Sequence, residues 1–328
     1  AVFCNGMADA RRIIIDTDPG VDDALALLLA FASAEVTVEA LTIVCGNGKD
    51  INQLGANAKL LARIAGCADV PICLGAAPLE QGDGVHVHGA DGLGDVASAF
   101  GRTAAGLAGF HSKTAAQFIV DACVASPGEI TVVAIGPLSN CAAALKLNPE
   151  LPQLAKELVI MGGAVHGELR GNRTAAGEAN FVSDPEAAQA ILTAGFKSVV
   201  LADLGVTHQT DIIEIRELMS RDLPGSAITT FIVGVTQVFV DCYLKTFGQP
   251  KAPAHDVVAV MYLVRPELFT KKSGRVEVEL QGTLTRGMSV VDWKGRWGKP
   301  NNCEVLMTVD NDKFNGEFVA AMGKLPYR

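Results

Sequence analysis

Ile13-Ile14-Ile15-Asp16-Thr17-Asp18-Pro19-Gly20-Val21-Asp22-Asp23-Ala24 is the stretch on which the reading of this chain turns. Three β-branched residues in succession suit the pleated surface of a buried strand. Ala24 to Ala32 reads as a helix, so the aspartates occupy the turn between strand and helix. In an open α/β sheet, ligands bind at the carboxyl ends of strands, at turns of this kind. Four carboxylates within eight residues repel one another unless a cation sits among them, and an oxygen-loving divalent ion is the simplest candidate. Helix capping and the positive end of the helix dipole account for Asp22 and Asp23. They do not account for Asp16 and Asp18, which follow a buried strand and are costly there unpaired.

Outward from this turn, apolar runs alternate with helical patterns. Strands are expected at Val36 to Val44, Val70 to Leu74, Ile130 to Ile135, Leu158 to Met161 and Ser198 to Ala202. Helices are expected at Ile51 to Ala65, at Thr114 to Ala125, from Pro137 onward, and from Asp184-Pro185-Glu186 through Leu192, where Asp caps and Pro takes the first position. This rhythm implies an α/β fold: an open, largely parallel Rossmann-like sheet flanked by helices. The last third changes character. Ile228 to Leu244 reads as a long helix, and Val276 to Leu280 with Met288 to Val291 as a small β addition near the C-terminus, with Trp293 and Trp297 packing on it. Residues 77 to 110 are rich in glycine and alanine and lack clear periodicity, as functional loops beside a site often do.

Composition bounds the rest. The 328 residues are 49% hydrophobic and include 34 glycines, which suits a large buried core. No linker or composition shift divides the chain. Residues 1-10 are expected to be a disordered lead-in or cloning remnant, and 11-328 a single domain. The formal net charge of -9, without a basic cluster, argues against nucleic acid and anionic membranes. No apolar run is read as long enough for a membrane span. The eight cysteines form no C-x-x-C pair and mostly sit in apolar surroundings, so they are expected to be reduced core thiols of a cytoplasmic protein. His86 and His88 alternate, but no third ligand lies near enough in sequence to support zinc.

The run from Ile13 to Ala26 resembles the opening motif of the nucleoside hydrolases, the inosine–uridine-preferring nucleoside N-ribohydrolases. The resemblance continues through Val44-Cys45-Gly46-Asn47 and through Pro127-Gly128-Glu129-Ile130 to Ile135-Gly136-Pro137-Leu138-Ser139-Asn140. It then takes in Met161-Gly162-Gly163, Glu178-Ala179-Asn180, Asp184-Pro185-Glu186-Ala187-Ala188 and His255-Asp256. It implies a Ca2+ ion at the bottom of a pocket, with Asp18, Asp23 and Asp256 as side-chain ligands and the Ile135 carbonyl as another. Calcium accepts about six to eight oxygens, which leaves room for a water and two ribose hydroxyls. Asp22 is implied to accept from a ribose hydroxyl and Asp16 to support the cluster. Asn47, Asn172, Glu178 and Asn180 are implied to bind the sugar, with Met161 packing against it and His88 near the base-binding mouth. Plainer readings exist: Asn47 and Asn172 as turn residues, Glu178 and Asn180 as surface loop, Met161 as core, Asp256 as a helix cap.

The implied reaction is hydrolysis of the N-glycosidic bond of a ribonucleoside to free base and ribose, as in nucleoside catabolism and salvage of purines and pyrimidines. Asp18 deprotonates a water held by the ion, and His255, or a water or tyrosine nearby, protonates the departing base. Thr236, Gln237, Phe239, Val240 and Tyr243 on the long late helix are the plausible base neighbours. The purine-specific branch of the family carries Trp just before the late metal-binding Asp. His255 in that position argues for the inosine–uridine branch, with uridine, inosine and xanthosine as substrate types. Family members form dimers or tetramers, so a homodimer or homotetramer is expected. Two rivals come from other classes. A haloacid-dehalogenase-type phosphatase also opens with a strand and D-x-D, but does not continue Pro-Gly-Val-Asp-Asp. A non-catalytic nucleoside-binding protein would keep the pocket and release no sugar.

Overall fold

The computed structural model describes residues 10–75, 87–102, 109–168 and 170–327. The expected lead-in thus lies almost wholly outside the described residues, as do His86 and parts of the expected 77–110 loop. The strands are β1 (Arg11–Thr17), β2 (Val36–Ile43), β3 (Ile72–Leu74), β4 (Ile130–Ala134), β5 (Glu157–Met161), β6 (Val199–Ala202), β7 (Phe269–Val278), β8 (Ser289–Asp292) and β9 (Cys303–Val309). They form one sheet in the order β3-β2-β1-β4-β5-β6-β9-β7-β8. The pairings from β3 across to β9 are parallel, and β7 pairs antiparallel with both β9 and β8. The mixed α/β architecture with antiparallel strands near the C-terminus is the one the sequence implies.

The strands read as unbroken apolar runs because the sheet is covered on both faces. Ile13 and Ile15 point into one core with Val133, Val159 and Val200, while Ile14 joins the other with Val132, Ile160 and Leu201. Strand order reverses where β1 lies between β2 and β4. That is the switch point at which an open sheet parts and binds ligands. The carboxyl ends of β1 and β4 meet there, with the Ile135 amide donating to the Asp16 carbonyl at 2.8 Å.

Two helices bring the site together. Helix α1 (Val21–Ala32) is buried on every side, which explains an almost wholly apolar helix after its two acids. It packs against the equally buried helix His255–Val264. Each opens on an aspartate in its first turn, so Asp22 and Asp23 meet Asp256 at two helix N-termini, whose dipoles favour negative charge. Helix α2 (Ile51–Ile64), capped by Asp50, runs from β2 back toward β3.

Several expectations need correction. Pro137 does not open a helix. It lies in the turn after β4, and the helix is Ser139–Leu147. β9 escaped notice: its residues pair with both β6 and β7, so a strand that completes the sheet lies late in the chain. The long helix ends at Asp241 and continues as a π-helical turn, Cys242–Thr246. Together, Ala227–Thr246 is long and apolar enough to cross a membrane by length and composition, contrary to expectation. Its Phe231, Ile232, Val235 and Phe239 nevertheless lie in the core. Cys45, Cys73, Cys123, Cys141, Cys242 and Cys303 are buried thiols, but Cys67 is disulfide-bonded. Spacing along a chain does not reveal which sulfurs a fold brings together. Trp293 packs on the hairpin beneath Lys272, whereas Trp297 is substantially exposed.

Candidate active site

The aspartates at the β1–α1 turn are buried and differently held. Asp16, fully buried, accepts from Thr42 Oγ1 at 2.6 Å and Asn140 Nδ2 at 2.8 Å through Oδ1, while its Oδ2 has no partner. Burial raises its pKa to about 7 against those two hydrogen bonds. Asp18 Oδ2 accepts from the Asn47 amide at 2.6 Å, and its buried Oδ1 has no partner. A Cβ on Gly46 would stand 2.0 Å from Asp18 Oδ2, so only glycine admits the carboxylate here. Asp23 is the best supported, accepting from Thr17 Oγ1 at 2.5 Å, the Gly20 amide at 2.9 Å and Asn47 Nδ2 at 2.9 Å.

Ligand atoms of Asp22, Asp23 and Asp256 lie within 4.8 Å of one another. Burial, and then the neighbouring carboxylates, push Asp18 and Asp256 well above the usual carboxylate range, and burial with Asp23 pushes Asp22 up to about 8. Carboxylates this close do not all stay ionised without a proton or cation between them. Buried oxygens, an orphaned Asp18 Oδ1 and like charges facing one another are the donor set of a hard cation. The tight trio includes Asp22, expected as a sugar acceptor, and lacks Asp18, expected as a ligand. The Ile135 carbonyl accepts from Asn180 Nδ2 at 3.0 Å.

On the β5 side, Glu178 is buried rather than on a surface loop. It accepts from the Gly163, Asn180 and Phe181 amides at 2.9, 2.8 and 3.1 Å, and burial pushes it up to about 7. Asn180 spans the carboxyl ends of β4 and β5, donating also to the Met161 carbonyl at 3.1 Å and to its sulfur at 3.5 Å. Asn172 is exposed, and its side chain accepts from the Ala179 amide at 2.9 Å.

Aromatic and imidazole rings complete the site. His88 Nδ1 accepts from the Val21 amide at 3.1 Å and lies 3.8 Å from Asp22 Oδ1; burial lowers its pKa to about 4. Its ring stands 5.6 Å from Phe239, which stands 4.8 Å from Tyr243. His255 is buried between Thr207 Oγ1, 2.8 Å from Nδ1, and Tyr243 Oη, 2.9 Å from Nε2. Burial, with His208 and His88 nearby, holds it well below the ordinary histidine value, so the ring is neutral at pH 7. Burial raises the Tyr243 phenol. Of the other expected base neighbours, Thr236 is tied to the Ile232 carbonyl, and Gln237 is exposed and bound by Arg216. Thr207, Thr42 and Asn140 were not foreseen as partners. Thr207 and its partner His255 are 48 residues apart in the chain.

Buried carboxylates at the switch point of a largely parallel sheet place the chain among α/β proteins with a candidate cation site at the strand ends. The inosine-uridine preferring nucleoside hydrolase family matches residues 13–316, and the chain belongs to it. An inosine-uridine preferring nucleoside hydrolase of Leishmania major is 36% identical over 93% of this chain and 95% of its own length. Uridine nucleosidase 1 of Arabidopsis thaliana is 34% identical over 94% of each. The solved structure of a purine-preferring ribonucleoside hydrolase from Gardnerella vaginalis superposes with a TM-score of 0.85 at 28% identity, covering 96% of this chain and 99% of that one. The protein is thus an N-ribohydrolase acting on N-glycosyl bonds of ribonucleosides, and its family is metal-dependent.

Proposed function

We propose that the chain hydrolyses ribonucleosides of the uridine and inosine type by water attack at the anomeric carbon, with Ca2+ as its cation. The observation that carries this reading is the buried carboxylate cluster with its unpartnered Asp18 Oδ1, with Asp22 and Asp256 close enough to act electrostatically on Tyr243, the partner of His255. Asp18, Asp22, Asp23 and Asp256, with the Ile135 carbonyl, are the groups that would hold the ion. When bound, it supplies Lewis acidity, lowering the pKa of a water and orienting sugar hydroxyls. Asp18 Oδ1 takes the proton from the attacking water. Asp22 accepts from a ribose hydroxyl, and Asn47, Asn172 and Asn180 contribute amides to the sugar. Glu178, held by three backbone amides, offers its remaining lone pairs. Met161 packs beneath the ring. The carboxylate floor stabilises the positive charge that builds on the sugar as the bond to the base lengthens.

Proton supply to the base falls to His255 and Tyr243. A neutral imidazole with its proton on Nδ1, toward Thr207, accepts the Tyr243 hydroxyl at Nε2. The reverse tautomer donates toward Tyr243. Only this second tautomer, with Nδ1 accepting from Thr207, leaves the phenol hydrogen free to turn toward the departing base, so it is the one in which the two groups form a proton relay. His88 and Phe239 flank the base. His255, where the purine-specific branch carries Trp, supports the inosine–uridine assignment. A cytoplasmic location and a homodimer or homotetramer belong to the same proposal, and cell fractionation and light scattering test them. The decisive experiment is a reducing-sugar assay over a panel of ribonucleosides, with chelator and with Ca2+ added back. Turnover of uridine and inosine that stops with chelator and returns with Ca2+ is expected; turnover indifferent to chelator overturns the proposal.

A further inference from the structure

Asn57 joins two parts of the site and has no role in the account above. It sits in the middle of α2 and is fully buried. Asparagine is a poor helix former, and a buried amide costs stability unless its atoms are paired. Here the partners all lie outside its own helix. Nδ2 donates to the Pro19 carbonyl at 3.1 Å and to the Asp91 carbonyl at 3.0 Å. Oδ1 accepts from Arg102 Nη1 at 2.6 Å, and the same Nη1 donates to the Asp91 carbonyl at 2.8 Å.

The two carbonyls belong to different parts of the pocket. Pro19 lies in the carboxylate turn, between Asp18 and Asp22. Asp91 lies three residues beyond His88 in a loop that is itself stiff. Asp91 Oδ1 accepts from the Leu93 and Asp95 amides at 2.7 and 2.9 Å, and Oδ2 from Ala97 at 2.8 Å. Asp95 Oδ1 accepts from the Ala90 amide at 2.7 Å, and the Gly94 amide donates to the His88 carbonyl at 2.9 Å. One turn before Asn57 on the same helix, Gln53 donates to the Ala90 carbonyl at 3.0 Å. His88 through Ala97 is therefore a preformed unit docked on α2, and Asn57 links that unit to the carboxylate turn.

We propose that Asn57 is a positioning residue for the hydrolysis, setting the place of His88 against Val21 and Asp22. The proposal rests on the reading that His88 serves the substrate. A misplacement of about 1 Å is enough to cost about 10²-fold in rate. The test is a double-mutant cycle, with kcat and KM for uridine and inosine measured at saturating Ca2+. Asn57→Ala is expected to lower kcat/KM about 10- to 100-fold in the native background and less than about two-fold in the His88→Ala background. Arg102→Met withdraws the donor to Oδ1 but leaves Asn57 in place. It is expected to give a smaller loss that also vanishes without His88, and it carries the cycle should Asn57→Ala fail to fold. Equal losses in both backgrounds assign Asn57 to the turn or the fold and overturn the inference. A harmful His88→Ala beside a harmless Asn57→Ala overturns the inference alone. A harmless His88→Ala overturns the reading of His88, and the inference with it.

Discussion

Tyr243 Oη lies 2.9 Å from Nε2 of His255, whose Nδ1 lies 2.8 Å from Thr207 Oγ1. Both ring nitrogens are thus partnered, and burial keeps the ring neutral. A neutral imidazole passes a proton more readily than it stores one, so the two side chains are expected to act together. His255→Ala and Tyr243→Phe should each slow uridine and inosine by about 10²–10⁴-fold, and the double variant little more than either alone. A riboside with a p-nitrophenolate leaving group needs little protonation and should be spared. Equal slowing of both substrates would instead mark His255 as a support for Asp256.

The carboxylate cluster makes its own prediction. Asp18→Ala and Asp23→Ala should abolish turnover while the fold persists, because Asp18 lies in the strand-end turn and Asp23 in the first turn of α1, and neither contributes apolar packing; Asp23→Ala should cost more stability, since three donors lose their acceptor. On the proposed reading, Ca2+ bound among the carboxylates stabilises the folded chain by mass action, by about 2.7 kcal/mol at a hundred times Kd, so Tm should rise with Ca2+ concentration. Differential scanning fluorimetry across a Ca2+ titration reads this directly. A Tm insensitive to divalent cations would contradict the assignment of the site.

Discrimination at the sugar follows from the proposed contact with buried Asp22. As the acceptor of a ribose hydroxyl, it would lose its partner when that hydroxyl is missing, and sites built to pair with a hydroxyl reject the analogue lacking it by about 10⁴–10⁵-fold. Deoxyuridine should therefore react far more slowly than uridine. Comparable kcat/KM values for the two would show that the 2′-hydroxyl is not held.

A pH effect is expected away from the proposed proton donor. His166 Nδ1 lies 2.9 Å from the fully buried Asp203 carboxylate. Burial lowers the imidazole pKa, but Asp203 outweighs it and holds the value above the ordinary 6.5. A raised folded pKa means that the pair's stabilisation is fully present below the unfolded value and is lost as pH rises through the folded one. His166→Ala should thus cost about 1–3 kcal/mol near pH 5.5 and less near pH 8.5. Chemical denaturation at the two pH values checks it, and a penalty that grows with pH would reverse the assignment.

Much of the architecture was legible in local sequence, because local sequence carries the relevant physics. Ile13-Ile14-Ile15 alternates between two cores, and only a strand covered on both faces needs that. The acids of Asp16 to Asp23 announced a site because helix capping accounts for Asp22 and Asp23 but not for Asp16 and Asp18 after a buried strand. Asp184 and Pro185 marked a helix start that the structure reproduces, with Asp184 accepting from the Ala187 amide at 3.1 Å. Long-range pairing left no such mark. β9 is distant in sequence from its partner β6, and Cys67 is bonded although no cysteine spacing suggested it. The same limit governed the site. That Asp256 joins Asp22 and Asp23 depends on the packing of two helices, and that Asn57 holds Pro19 and Asp91 depends on a loop folding back onto α2. Residue type and spacing state which chemistry a chain can perform. Which atoms stand within 3 Å of one another is decided by contacts between segments far apart in the chain, and only the assembled core fixes those.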